Sequence, residues 1–355
     1  MGTMLSGAAV PQAEPQVREE RFVFTATGGE YFRIWIVNLL LTVVTLGIYS
    51  AWAKVRRNQY LYSNTRLASG GFEYHGLPIA ILKGRIVAGV LFGGYYVAAA
   101  VSPVAALAVF AVLMGVMPWL IWKGLQFALH NSSYRGIRFG FDGSARGAYF
   151  HYLVLPLLAA LTLGLLYPFV HQRIKRFQHT HSRYGSVPFS FDAPVSGFYK
   201  RYLVMALVLF GGLGLSIVAA GLLVSALGVP VAQAQAAGAM IGLFLVYPYL
   251  LCVLWIFYAT LQNLIWNHTQ LGPHRFRSTM KAGRIASIYI TNTLAILFTL
   301  GLFIPFATVR AMKYRLECTS LLVAGSLDDI AAGQRAEIGA IGDGAADLGG
   351  FDLAL

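Results

Sequence analysis

Three histidines, His171, His179 and His181, are the residues most readily given a chemistry. A His-x-His pair with a third imidazole eight residues earlier can hold zinc or copper. Their segment is basic, has no Cys or Glu nearby and does not repeat the histidines elsewhere, so solvated or headgroup-contacting imidazoles are expected and no metal is assigned. Acid–base chemistry has less to draw on. Between residues 21 and 316 the only carboxylates are Glu30, Glu73, Asp142 and Asp192, all outside apolar segments. Asp142 and Asp192 follow Phe-x-Phe, where a turn or helix cap explains them. There is no serine elbow, phosphate-cradling glycine loop or HExxH, so no catalytic residue, cofactor or enzymatic activity is expected. Cys252 and Cys318 form neither a disulfide framework nor a metal spacing.

Polar side chains inside apolar segments are better candidates, because an amide in lipid needs a partner. Asn38 and Asn292 lie in such segments, and Gln126, Gln262 and Asn263 lie near the ends of others. Hydrogen bonds between helices account for most of them. Asn38 and Asn292, with Arg56, Arg173 and Arg310 beyond them, form the candidate set of ligand or lipid contacts.

The elements that would position them follow from charge. Five stretches lack Asp, Glu, Lys and Arg: residues 34–53, 86–122, 147–172, 202–274 and 285–309. A spanning helix needs about 20 residues. The second and fourth stretches each hold two apolar runs around a turn, at Val101-Ser102-Pro103 and Leu227-Gly228-Val229-Pro230, and read as helical hairpins. Seven crossings would divide the 27 Lys and Arg as 13 and 14, which gives no orientation. If only the two hairpins cross, all 27 face one compartment, as the positive-inside rule favours. The formal net charge of +13 therefore orients a membrane protein and does not mark a nucleic-acid binder.

Thr-Leu-Gly recurs at Thr45-Leu46-Gly47, Thr162-Leu163-Gly164 and Thr299-Leu300-Gly301. Phe22, Phe139 and Phe276 precede it at constant distance, and Arg56, Arg173 and Arg310 follow it at constant distance. Trp119, Gln126 and Asn131 match Trp255, Gln262 and Asn267 in the two hairpins. The chain reads A-B-A-B-A, with unit A at 22–66, 139–181 and 276–318 and unit B at 72–131 and 189–267. Alternating aromatics open the units and suggest a short strand or extended turn, although an interfacial aromatic belt explains them more simply. Each Thr-Leu-Gly turn would sit near the bilayer midplane, helped by Pro168 and Pro305. Gly89-x-x-x-Gly93 and Gly238-x-x-x-Gly242 offer close packing faces.

The run Thr45-Leu46-Gly47-Ile48-Tyr49 to Trp52-Ala53-Lys54-Val55-Arg56, with Phe72-Glu73-Tyr74-His75-Gly76 and Leu82-Lys83-Gly84-Arg85, resembles the YjgN family of bacterial inner-membrane proteins. The resemblance implies a multi-pass inner-membrane protein without established activity, and brings no catalytic residues.

The expected fold is all-α: a polytopic helical membrane protein with A-B-A-B-A repeats, two spanning hairpins and three re-entrant or interfacial ones. Residues 1–20 are expected to be disordered, 21–320 to form one membrane domain, and 321–355 to be an acidic tail that folds back on the basic face. Residues 1–17 show no signal peptide. A small-solute or amphiphile transporter or channel is the leading function. A scaffold whose basic aromatic helices engage anionic lipid is the alternative. The expected partners are the bilayer and anionic headgroups, with no nucleic acid; a homo-oligomer stays open, and both termini are expected in the cytoplasm.

Overall fold

The computed structural model describes residues 17–325, and among them the chain repeats one excursion five times: a strand, a helical hairpin, and a strand back. The first unit is β1 (Val17–Phe24), α1 (Gly28–Val44), α2 (Ser50–Ser63) and β2 (Thr65–Leu67). The second is β3 (Gly70–Tyr74), α3 (Pro78–Val101), α4 (Pro103–His130) and β4 (Ser132–Tyr134). In the third, β5 (Ile137–Phe141) leads to α5 (Ala145–Tyr149), a π-helical turn (Phe150–Val154), α6 (Leu155–Leu161), α7 (Tyr167–Thr180) and β6 (Ser182–Tyr184). The fourth is β7 (Val187–Phe191), α8 (Val195–Ala226), α9 (Val231–Asn267) and β8 (Thr269–Leu271). The fifth is β9 (His274–Ser278), α10 (Ala282–Phe298), α11 (Ile304–Glu317) and β10 (Thr319–Ala324).

The ten strands close into one antiparallel barrel, β10 pairing with β1, which overturns the all-α expectation. Strands this short are marginal alone, and closure makes them stable by leaving no edge unpaired. Two-residue turns join the units. Arg135 and Gly136 have φ of 50° and 79°, the left-handed pair of a type I′ hairpin. The aromatic-belt explanation falls with the same observation, because the alternating aromatics are barrel strands with rings turned inward. The barrel also takes Val17–Glu20 and Leu321–Ala324 from the flanks that the sequence places outside the domain. The proposed fold-back of the tail lies outside the described residues.

Each hairpin is anchored the same way. The even-numbered strands start with Thr65, Ser132, Ser182, Thr269 and Thr319, whose hydroxyls donate at 2.7–2.9 Å to the carbonyl four residues back in the preceding helix. The backbone N–H of Thr25, His75, Asp142, Asp192 and Thr279 donates across to the C-cap carbonyl of the same unit, at 2.8–3.2 Å. Both feet of every hairpin therefore stand together on one rim.

At the short tips, the Thr45, Thr162 and Thr299 hydroxyls donate to carbonyls of the first helix and accept the N–H of Tyr49, Leu166 and Phe303 at the start of the second. Gly47, Gly164 and Gly301 have φ near 90° and donate to the carbonyl five residues earlier, a Schellman closure. Leu46, Leu163 and Leu300 point away from the fold, each at least 94% exposed. Pro168 and Pro305 sit in the first turns of α7 and α11, where a missing N–H is harmless.

Neighbouring hairpins pack in a ring above the barrel: α2 on α3, α4 on α5, α7 on α8, α9 on α10, and α11 back on α1. Four helices, in the second and fourth units, are long and apolar enough to cross a membrane. Every described Lys and Arg lies in a strand, in a turn or within about three helical turns of a strand, so the far parts of the hairpins are uncharged. Of the four motif glycines only Gly238 faces a neighbouring helix, where a Cβ would lie 3.8 Å from Val224 of α8; one at Gly89, Gly93 or Gly242 would meet no atom within 4 Å.

Candidate functional site: an aromatic cavity at the foot of the helical ring

In register, Phe22 faces Leu67, Phe72 faces Tyr134, Phe139 faces Tyr184, Phe189 faces Leu271 and Phe276 faces Leu321. Side chains alternate along a strand, so one inward residue per strand gives two five-membered layers. The Leu and Tyr layer is buried and closes the barrel. The Tyr134 hydroxyl donates to the Leu67 carbonyl at 2.7 Å, and the Tyr184 hydroxyl to the Tyr134 carbonyl at 3.0 Å. Burial raises the Tyr184 phenol far above its ordinary range, which keeps it a donor.

The phenylalanine layer forms a wall. Successive rings from Phe22 through Phe72, Phe139 and Phe189 to Phe276 lie 6.0, 6.5, 6.5 and 6.1 Å apart. Among the described residues no ring contact closes the circle from Phe276 to Phe22. The next inward layer, towards the helices, holds Phe24, Tyr74, Phe141 and Phe191, but Ser278 in the fifth unit. A cavity of about 440 Å³ occupies the space between floor and helices. Its upper lining comes from Tyr258, Gln262 and Trp266 of α9 and from Met312, Arg315 and Leu316 of α11. The Arg315 guanidinium lies over the Tyr258 ring, 5.4 Å from its centroid. No carboxylate lines the cavity, and no cluster of His, Cys, Asp or Glu able to hold a metal exists among the described residues.

The polar residues singled out from the sequence sit elsewhere, Gln262 excepted. Asn292 is buried in α10, where its Nδ2 donates to the Ala307 carbonyl at 3.2 Å and its Oδ1 accepts from Arg310 at 3.3 Å. Asn38 is equally buried, yet its Oδ1 has no partner and Arg56 turns to the Tyr49 ring. Arg173 lies over Phe169. Asn263 is a local tie, donating to the Met280 carbonyl and accepting from the Ser278 hydroxyl. Asn131 caps α4, while His268 and not Asn267 caps α9, so the hairpin match slips by one residue at its end.

The histidines do not converge, and His171 and His179 are packed where solvated rings were expected. His171 bonds the Tyr202 hydroxyl at 2.8 Å, His179 stacks on Phe191 beside Thr269, and His181 bonds the Phe177 carbonyl. Burial lowers both His171 and His179 to about 4. Ser144 and not Asp142 caps α5, and the Asp142 carboxylate instead pairs with Arg183 across the barrel strands at 2.8 Å.

The signal that would have exposed the barrel is a seven-residue interval. Thr65, Ser132, Ser182 and Thr269 each precede a phenylalanine by seven residues, with Leu or Tyr two after the hydroxyl and a two-residue turn between.

Comparison with known proteins agrees with this architecture's membrane character. A family profile described as "Bacterial protein of unknown function (DUF898)" matches residues 19–348. The chain is 34% identical over 148 residues to a Salmonella typhimurium protein named "Inner membrane protein YjgN", covering 41% of this chain and 37% of that one. It is 32% identical over 160 residues to the protein of the same name in Escherichia coli (strain K12), covering 43% and 39%. The match thus spans well under half the length of these relatives. No solved structure matches.

Proposed function

The chain belongs to the family of bacterial proteins of unknown function (DUF898), and from there we propose that it is a multi-pass protein of the bacterial inner membrane that holds an amphiphile at the foot of its helical ring. The cavity carries this reading: about 440 Å³, walled by stacked phenylalanines beneath uncharged helices. That volume lies in the range of small-molecule sites. The four long apolar helices support several crossings, and the relatives' names support the inner membrane. Basic residues near the strands support a cytoplasmic barrel, with both ends of the described chain on that side. In this arrangement the three Thr-Leu-Gly hairpins re-enter and do not cross.

The filled floor disfavours a channel along the barrel axis. Among transport readings we favour lateral access of an amphiphile between hairpins. The absence of carboxylates from the cavity lining favours binding over catalysis.

Native mass spectrometry of protein released from inner membranes tests the reading. A retained amphiphile that is lost on Leu271→Trp, which fills the floor, is expected. Protein that emerges empty, or a ligand indifferent to that substitution, would refute it. A second reading, a scaffold bound to anionic lipid, draws on the groove lined by Arg33, Arg56 and Gln59 beside Ile34 and Val37. It predicts vesicle binding that scales with anionic lipid and falls with Arg33→Gln and Arg56→Gln.

A further inference from the structure

Two departures from the fivefold pattern meet in the fifth unit. Ser278 stands where the other four units place Phe24, Tyr74, Phe141 and Phe191, and its buried hydroxyl donates to Asn263 of α9 at 2.8 Å, so that layer lacks a ring in the fifth unit. Arg315 stands where the Thr-Leu-Gly register puts Leu61 in the first unit and Gln178 in the third. Among the described residues it is the single charged side chain lining the cavity.

The guanidinium is held by the Tyr258 ring and, among the described residues, pairs with no carboxylate. Glu317, on the same helix, instead lies 3.9 Å from Lys313. A weakly hydrated guanidinium stacked on an aromatic ring at the rim of an apolar space is a recognition group for carboxylate or phosphate oxygens. Gln262 adds an amide donor on the same rim. A cationic head would be repelled there, and a neutral head would leave the charge unanswered.

We propose that the ligand of this cavity is a single-chain amphiphile with an anionic head, its acid group on Arg315 and its chain against the phenylalanine wall. This rests on the reading of the cavity as an amphiphile site and goes on to specify the charge of the head. Each methylene taken into the cavity should tighten binding about fourfold, the equivalent of about 0.8 kcal/mol.

The test uses the full chain in a neutral detergent, with myristic acid, tetradecyl phosphate and 1-tetradecanol as probes and binding read by titration calorimetry. Both acids should bind at least about tenfold more tightly than the alcohol. Arg315→Gln should erase that preference, and Arg315→Lys should keep part of it. Met312→Trp should weaken all three probes, with Leu271→Trp as the second block if Met312→Trp does not fold. The relative affinities of carboxylate and phosphate then say which head the site takes. Equal binding of acid and alcohol, or full acid binding by Arg315→Gln, would overturn the anionic ligand and leave the cavity reading standing. Unchanged binding by a folded blocking variant, or no binding of any probe, would overturn both.

Discussion

Arg310 donates to the Oδ1 of Asn292 across the third short hairpin, at 3.3 Å, while the matching oxygen of Asn38 in the first hairpin is buried without a partner. The two amides share a register but not an environment. Asn292→Leu loses the bond to the buried Ala307 carbonyl and one of the two Arg310 bonds, the other going to Thr291, so it should destabilise by about 1–3 kcal/mol, whereas Asn38→Leu removes an acceptor unmet among the described residues and should be neutral or stabilising. Thermal unfolding in detergent reads both, and equal losses would show that the two sites are energetically alike.

The common rim fixes a labelling pattern. Cysteines at Ser63, Ser182 and Ser186 should react with an impermeant maleimide from one side of the membrane, and Ser102→Cys, at the tip of the α3–α4 hairpin, from the other. Ser63→Cys and Ser182→Cys reacting from opposite sides would mean that the second and third hairpins do not both return to a shared rim.

The Thr-Leu-Gly turns are constrained by conformation and not by space. Gly47 has φ +94° and a Cβ there would meet nothing within 4 Å. Gly47→Ala should therefore cost about 1 kcal/mol or more purely as backbone strain, and Thr45→Val should cost a similar amount by releasing both helix ends. Because Leu46 is a fully displayed apolar tip with φ 51°, Leu46→Gly should relax the backbone yet reduce partition into vesicles. A loss of stability with unchanged partition would reverse this assignment.

Acid should weaken the fold. Burial holds His171 and His179 at about 4 against an ordinary 6.5, and lowers Lys175 between them. Between those values the unfolded chain binds protons that the folded chain refuses, so this contribution is whole above about pH 6.5 and drains as the pH falls towards 4. Melting at pH ~7.5 and pH ~5 should differ by several degrees, and His179→Gln should shrink the gap. A melting temperature unmoved by acid would contradict the burial.

The helices were legible because bilayer-length uncharged runs announce themselves, and the fivefold plan showed through Thr-Leu-Gly. The barrel was not, for a physical reason. Three-residue strands such as Thr65–Leu67 have no periodicity to measure, and on one side each depends on a partner more than forty residues away, as Phe22 pairs with Leu67 and Phe72 with Tyr134. The cavity was hidden for the same reason: its walls are one phenylalanine from each unit, and each looks like an ordinary interfacial aromatic until closure gathers them. Arg315 escaped notice because it breaks the repeat that made Arg56, Arg173 and Arg310 conspicuous.

The pairing of β1 with β10 also sets an order of events during synthesis. Residues about 300 positions apart must meet before the last seam forms, as Arg21 meets Ser320. By then four of the five hairpins have left the ribosome and can already lie in the membrane, so a two-dimensional arrangement of anchored segments replaces the search of a free chain, and much of the entropy of closing so long a loop is lost beforehand. For hairpins inserted as proposed, the bilayer gathers the strands and β10 seals them.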